Sequence, residues 1–498
     1  MKKLVFLFAL CSILHGQDDY QNWLRKENDK LQSFLSEQDS KYYDFLKKEW
    51  KEFKINGGIT RDKEPEPINI PIIKSETETH KGQPDTKKSF EEIINIPSGK
   101  SEPSNRSIEN KEEKNPALNK VQHPEVVQRT DYNHLDFTYY EEEINVSYPK
   151  DLNIQLPGEI TNQVIAEYWK KINSMGLDEF LTIVQSKQKE MRLNDWGYLN
   201  YVWQLSNKIN SNKRNESLLL TWYVFLRSGY RVKIGLIDKN VMLFVKSNES
   251  IFDVPYIKEN NGEKTYIINF LQSKDVYGNL YTYDDDYPGA NKYLSMKINT
   301  SPIFRKDPVA RKLEFSFDHK NYVCNTVVNK NLIDYYKDYP STQYDTYFNA
   351  EVSDDIRTTL IPGLKEITKE MNELDAVNFL LRFTQTAFAY KNDKDNFGRE
   401  KSLFVEETIF YPYSNCKDRA ILFAYLVKNV LKLKIVGVEY PGHMATAVAL
   451  GKETDGSFIM HNGIKYAICD PTYINADAGM SMPAHPVPSI EKIIDINE

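Results

Sequence analysis

Displacing the chain by 202 residues lays one helix–strand unit over another. Glu216-Ser217-Leu218-Leu219-Leu220-Thr221-Trp222-Tyr223-Val224 falls under Asp418-Arg419-Ala420-Ile421-Leu422-Phe423-Ala424-Tyr425-Leu426. Val232 to Leu236 falls under Lys434 to Val438, with Gly229 and Tyr230 at the turn from helix to strand. In this register Arg214 lies under Cys416 and Val241 under His443. A repeated unit is a strong constraint on folding, because both copies must bury the same faces through the same connections. Two readings stay open. The first half is a second copy of the later core with its chemistry removed, or hydrophobic periodicity alone produces the match.

The repeat occupies only part of the 498 residues. Lys2 and Lys3, the apolar stretch Leu4 to Leu14 and the small Gly16 read as a signal peptide over 1–16. That stretch is too short to span a bilayer, and no later segment is apolar for long enough, so no membrane span is expected. Leu10 stands before Cys11 where a lipobox has a small residue, which argues against a lipoprotein. Residues 19–56 carry apolar side chains near a 3.6-residue period and end at Gly57-Gly58, so an amphipathic helical segment is expected there. Its apolar face could dock on an envelope partner, on the protein's own body, or on itself. Residues 57–130 hold eight prolines and one aromatic, Phe90, among many Glu, Lys and Ser, the composition of a disordered linker. Globular composition resumes at Tyr132, giving an α+β unit over 132–300, a second over 301–483 and a tail over 484–498. A net charge of −7 argues against nucleic acid as a partner.

The chemistry gathers in three places. Ser414 and Asn415 are N-capping residues and Asp418 suits a first helical turn, so Cys416 opens a helix. The free N–H groups there favour a thiolate and could hold an oxyanion. His443 follows the strand-like Ile435-Val436-Gly437-Val438 and the turn Tyr440-Pro441-Gly442. Asp470 ends the apolar run Tyr466-Ala467-Ile468-Cys469 and precedes Pro471. Cys, His and Asp in that order can serve as nucleophile, base and the group that fixes the base's tautomer. Each residue alone has a plain structural reading: a small core cysteine, a packed histidine, a turn-starting aspartate. Gln385, on a helical pattern upstream, has an amide able to donate to an oxyanion. Cys324, Cys416 and Cys469 are an odd set once a signal peptide is removed, so at least one free thiol is expected. The histidines lack metal-ligand spacing, and no metal or cofactor is expected.

Ser414-Asn415-Cys416-Lys417-Asp418-Arg419-Ala420, Gly442-His443-Met444-Ala445-Thr446-Ala447-Val448 and Cys469-Asp470-Pro471-Thr472-Tyr473 resemble the three motifs of the transglutaminase-like superfamily, most closely its exported, protease-like bacterial members. Met444-Ala445-Thr446 departs from the many members that carry an aromatic soon after the histidine. The resemblance covers about residues 370–483. It implies a papain-like core, a Cys-bearing helix on an antiparallel sheet bearing His and Asp, and acyl transfer through a thioester. It implies Gln385 as the oxyanion donor and a protein or peptide substrate. Hydrolysis of a peptide or amide bond is the leading expectation. Protein-glutamine cross-linking and a non-catalytic envelope-binding protein are the alternatives.

Overall fold

Two long hairpins begin the two halves. The computed structural model describes residues 33–54, 60–67, 93–96, 131–237, 240–259, 261–270, 279–452 and 455–497, with single positions at 23, 26, 27, 30 and 74. The strand Tyr132–Tyr139 pairs antiparallel with Glu142–Pro149, and Pro308–Phe317 pairs with Lys320–Asn329. Each hairpin closes on two left-handed residues, Tyr140 (φ 46°) and Glu141 (φ 60°) in the first, Asp318 (φ 48°) and His319 (φ 61°) in the second. Two successive positive φ values make a type I′ turn, whose twist matches that of the strands it joins. Leu135-Asp136-Phe137-Thr138-Tyr139 in the first hairpin is echoed by Leu313-Glu314-Phe315-Ser316-Phe317 in the second. Leu313 and Phe315 are buried while Glu314 is exposed, as strand alternation requires.

Helices follow each hairpin, and then an antiparallel sheet. In the first half the helix Arg214–Arg227 feeds a sheet whose central order is Asn279–Thr282, Val232–Ile237, Asn240–Lys246, Lys264–Ile268, Pro255–Lys258. In the second half the helix Cys416–Leu426 feeds Lys492–Asp495, Ile435–Tyr440, His443–Val448, Ile464–Cys469, Phe458–His461. Strand order, direction and chain connections are the same in both. The repetition is therefore one of topology and not only of hydrophobic period. Both helices are buried around most of their circumference, because a sheet covers one side and other helices the opposite side.

The two copies differ by one residue. The hairpins close at Ile237 opposite Asn240 and at Tyr440 opposite His443. This puts Asn240, and not Val241, in the place of His443. The helix Cys416–Leu426 runs on into a π-helical stretch, Val427–Leu431, and such a stretch accommodates an extra residue without breaking the helix.

The remaining expectations change in part. The N-terminal segment is not one helix across 19–56. Its described helix ends at residue 46, and Lys51–Lys54 pairs antiparallel with Asn279–Thr282 as a strand. Tyr42, Leu46 and Trp50 are buried in the body of the protein, Trp169 Nε1 donates to the Asp39 carbonyl (3.1 Å), and Arg227 pairs with the Asp39 carboxylate. From Asp39 to Trp50 the apolar face of this segment is thus covered by the protein's own chain, while Trp23 and Phe34 stay exposed. The 57–130 linker is built into the fold where it is described. Thr60–Arg61 pairs with Pro255–Tyr256, Ile93–Ile96 runs parallel to Asn321–Cys324, and Lys74 bridges Ile474. The 484–498 tail contains the edge strand Lys492–Asp495, whose Ile494 is buried against the sheet. Both halves contribute to one continuous buried cluster. Residues 1–16, where a signal peptide is expected, lie outside the described residues, and no helix among the described residues is long and apolar enough to cross a membrane.

Candidate active site

The helix that bears Cys416 starts where its capping chemistry dictates. The Asn415 side-chain oxygen accepts from the N–H groups of Lys417 (3.1 Å) and Asp418 (3.4 Å), and Asp418 Oδ2 accepts from the Asn415 N–H (3.0 Å). This reciprocal box satisfies the first turn and makes Cys416 the first helical residue. Asp418 Oδ1 also accepts from the Leu403 N–H (3.0 Å), anchoring the helix start to the segment that crosses it. The helix packs on the strands Ile435–Tyr440 and His443–Val448.

His443 opens the second of these strands after a two-residue turn in which Gly442 adopts φ 67°. Asp470 leaves the neighbouring strand directly after Cys469, which lies opposite Thr446. The carboxylate comes within 2.8 Å of His443 Nε2 through Oδ2, and Oδ1 accepts from the N–H groups of Thr472 (2.8 Å) and Tyr473 (3.3 Å). Burial opposes the charge on both groups. The pair overcomes it: Asp470 is held below its ordinary range by the imidazole and the two N–H groups, and His443 is pushed up to about 10 by Asp470, with a smaller contribution from Cys416. Nδ1 is then the open nitrogen of the ring. It is buried without a hydrogen-bond partner, on the strand against which the Cys416 helix packs. His485 stacks on the His443 ring, with centroids 4.5 Å apart, and holds its plane.

Cys416, His443 and Asp470 thus come together, all buried. Gln385 does not join them as an oxyanion donor. Its Nε2 donates to the carbonyls of Asp470 (3.1 Å), Tyr473 (2.8 Å) and Ala476 (3.0 Å), and its Oε1 accepts from Arg382 (2.7 Å) and the Asn475 N–H (3.2 Å). An amide whose hydrogens already serve three carbonyls has none left for substrate. Gln385 is a positioning residue that fixes the loop carrying Asp470.

No protein-family model and no curated protein matches the chain. The candidate site therefore rests on its own geometry, which includes residues that motif reading had passed over. Arg419 is buried one turn after Cys416 and donates to Ser414 Oγ (3.1 Å) and to the carbonyls of Gln385 (3.1 Å) and Phe388 (2.6 Å). Burial lowers its guanidinium to about 10, which leaves it charged at neutral pH. Lys417 is buried among Asp393 (2.8 Å), Glu400 (3.2 Å) and Glu64 (3.3 Å), and these carboxylates hold it protonated against the cost of burial. Glu64 reaches it from the linker and also accepts from Ser402 Oγ (2.8 Å). The available signal was Lys417-Asp418-Arg419 itself, three charged residues opening a helix that is otherwise almost wholly apolar.

The equivalent places in the first half carry different chemistry. Arg214 is the first residue of its helix and donates to the Val241 carbonyl (2.9 Å). Asn240 opens the strand equivalent to His443–Val448, and Asn269 follows Lys264–Ile268 as Asp470 follows Cys469. These three places hold no thiol, imidazole or carboxylate.

Proposed function

We propose that the protein is an exported cysteine acyl-transfer enzyme of the transglutaminase-like type, with a papain-like core, hydrolysing peptide or amide bonds. The observation that carries this reading is the His443 imidazole, bonded through Nε2 to the Asp470 carboxylate and open at Nδ1 beside a thiol at a helix start. The thiolate of Cys416 attacks the amide carbonyl and forms a C–S bond. The helix N-terminus stabilises the charge that moves onto the carbonyl oxygen. His443 passes its proton to the departing amine, and water activated by the same imidazole then resolves the thioester. Asp470 keeps the ring in the tautomer and orientation both steps need. The first half, with Arg214, Asn240 and Asn269 in the triad's places, serves as a non-catalytic copy.

Thiol labelling tests this. Burial pushes the Cys324 thiol up to about 12 and the Cys469 thiol well above its ordinary value, so both should resist alkylation at neutral pH. Iodoacetamide at pH 7 should label Cys416 alone in the folded protein, and Cys416→Ala should remove the label and the hydrolytic activity. Labelling of Cys416 no faster than of Cys324, with no hydrolysis that Cys416→Ala removes, would leave a non-catalytic binding protein. Stable incorporation of a fluorescent primary amine into protein substrates would assign cross-linking instead.

A further inference from the structure

The commitment of Gln385 to the Asp470 loop leaves one half of an oxyanion site unassigned. The backbone N–H of Cys416 is the first of the helix and has no intrahelical acceptor. A second donor has to stand beside the same sulfur with a hydrogen to spare.

The Tyr390 hydroxyl meets that requirement. It is buried and makes no hydrogen bond, an expensive state for a phenol unless another group is to fill it. Its position is fixed by the backbone: Ala389–Tyr390 pairs in parallel with Tyr413–Ser414, which sets Tyr390 opposite Ser414, two residues before the nucleophile. Its ring is fixed from one side by the Arg419 guanidinium, 5.5 Å from the centroid, and Arg419 is itself held by Ser414, Gln385 and Phe388. Ser414 and Arg419 flank Cys416 in the chain, so the pairing and the guanidinium contact together place the Tyr390 ring at the start of the Cys416 helix. Burial, with negative charge on Cys416 adding to it, keeps the phenol protonated throughout the neutral range, as a donor must be. Asn415 Nδ2 is a second unpartnered buried donor next to the nucleophile. Its side chain is already engaged through its oxygen in the helix cap, which gives that residue a structural role of its own.

We propose that Tyr390 is a catalytic residue whose hydroxyl, with the Cys416 backbone N–H, holds the oxyanion of the tetrahedral intermediate; this rests on the acyl-transfer reading. As the C–S bond forms, the carbonyl π pair moves onto oxygen, and Tyr390 donates a hydrogen bond to it without giving up its proton. Collapse of the intermediate restores the carbonyl and expels the amine with the proton from His443.

Two reagents separate this role from a structural one. p-Nitrophenyl acetate acylates a thiolate through a tetrahedral oxyanion, whereas iodoacetamide alkylates it by direct displacement with no oxyanion. Tyr390→Phe should slow formation of the Cys416 thioester, followed by mass, by about a hundredfold. Its alkylation by iodoacetamide should stay within about twofold of wild type, since no donor is removed from that reaction. Equal slowing of both reactions would assign Tyr390 to the fold or to the thiolate, and unchanged acylation would remove it from the site; either overturns the proposal and leaves the enzyme reading standing. A wild-type Cys416 inert to both reagents would overturn the acyl-transfer reading and the proposal with it.

Discussion

His443 and Asp470 show how a residue-level pairing becomes a measurable pH dependence. The folded histidine sits above its ordinary value because the Asp470 carboxylate outweighs burial. A raised value means that the folded state keeps a proton the unfolded chain releases. The resulting stability is complete below the ordinary histidine value of about 6.5 and is lost as pH climbs toward the folded value. The Cys416→Ala background removes the thiol's own titration. In that background the urea midpoint should fall as pH rises from about 6.5 to about 10, and a further Asp470→Asn change should flatten the fall. A midpoint that rises or stays level over that window would mean the pair does not hold the proton. The same two residues were legible from their order and local setting, since each ends or begins a short apolar strand. Gln385 was not read correctly, because its role depends on carbonyls more than eighty residues further along the chain.

At the scale of elements, turns and caps were the most readable parts. Asp318-His319-Lys320-Asn321 reads as a turn between alternating segments, and the structure places Asp318 and His319 in left-handed conformations there. A left-handed conformation costs a non-glycine residue about 1–2 kcal/mol, while glycine adopts it freely. His319→Gly should therefore stabilise the protein by about 0.5–1 kcal/mol after the entropy of the added glycine is counted, measured by denaturant unfolding. A loss of stability would show that the His319 side chain contributes more than its backbone conformation costs. The cap at Asn415 was equally local, which is why the helix start at Cys416 could be placed. The one-residue offset between the copies was not readable. A π-helical stretch leaves no compositional mark, and only the hairpin register reveals that Asn240 stands where His443 does.

The whole molecule is held by connections that cross between the halves. The strap around Glu64 is the clearest: Thr60–Arg61 lies on the first sheet, while Glu64 enters the second half to meet Lys417 and Ser402. Glu64→Ala removes one of three carboxylates around a buried lysine. It should destabilise the protein by about 1–3 kcal/mol in chemical denaturation, a cost typical of a broken buried pair whose cation keeps other partners. A change within about 0.5 kcal/mol would mean that the strap merely rests on the surface. Proline-rich, charged composition gave no hint of this, because the strap gains its stability from sheet edges and a buried lysine supplied elsewhere. The sequence by itself determined what short-range physics controls: the capped helix start at Cys416, the alternating strands, and the ordered thiol, imidazole and carboxylate. Only the tertiary structure decided what depends on distant partners: the fate of the Gln385 amide, the docking of the linker and the terminal strand, the register of the two copies, and the unpartnered hydroxyl of Tyr390. Hydrogen bonds and burial are settled by which elements meet, and a local pattern carries no record of its neighbours in space.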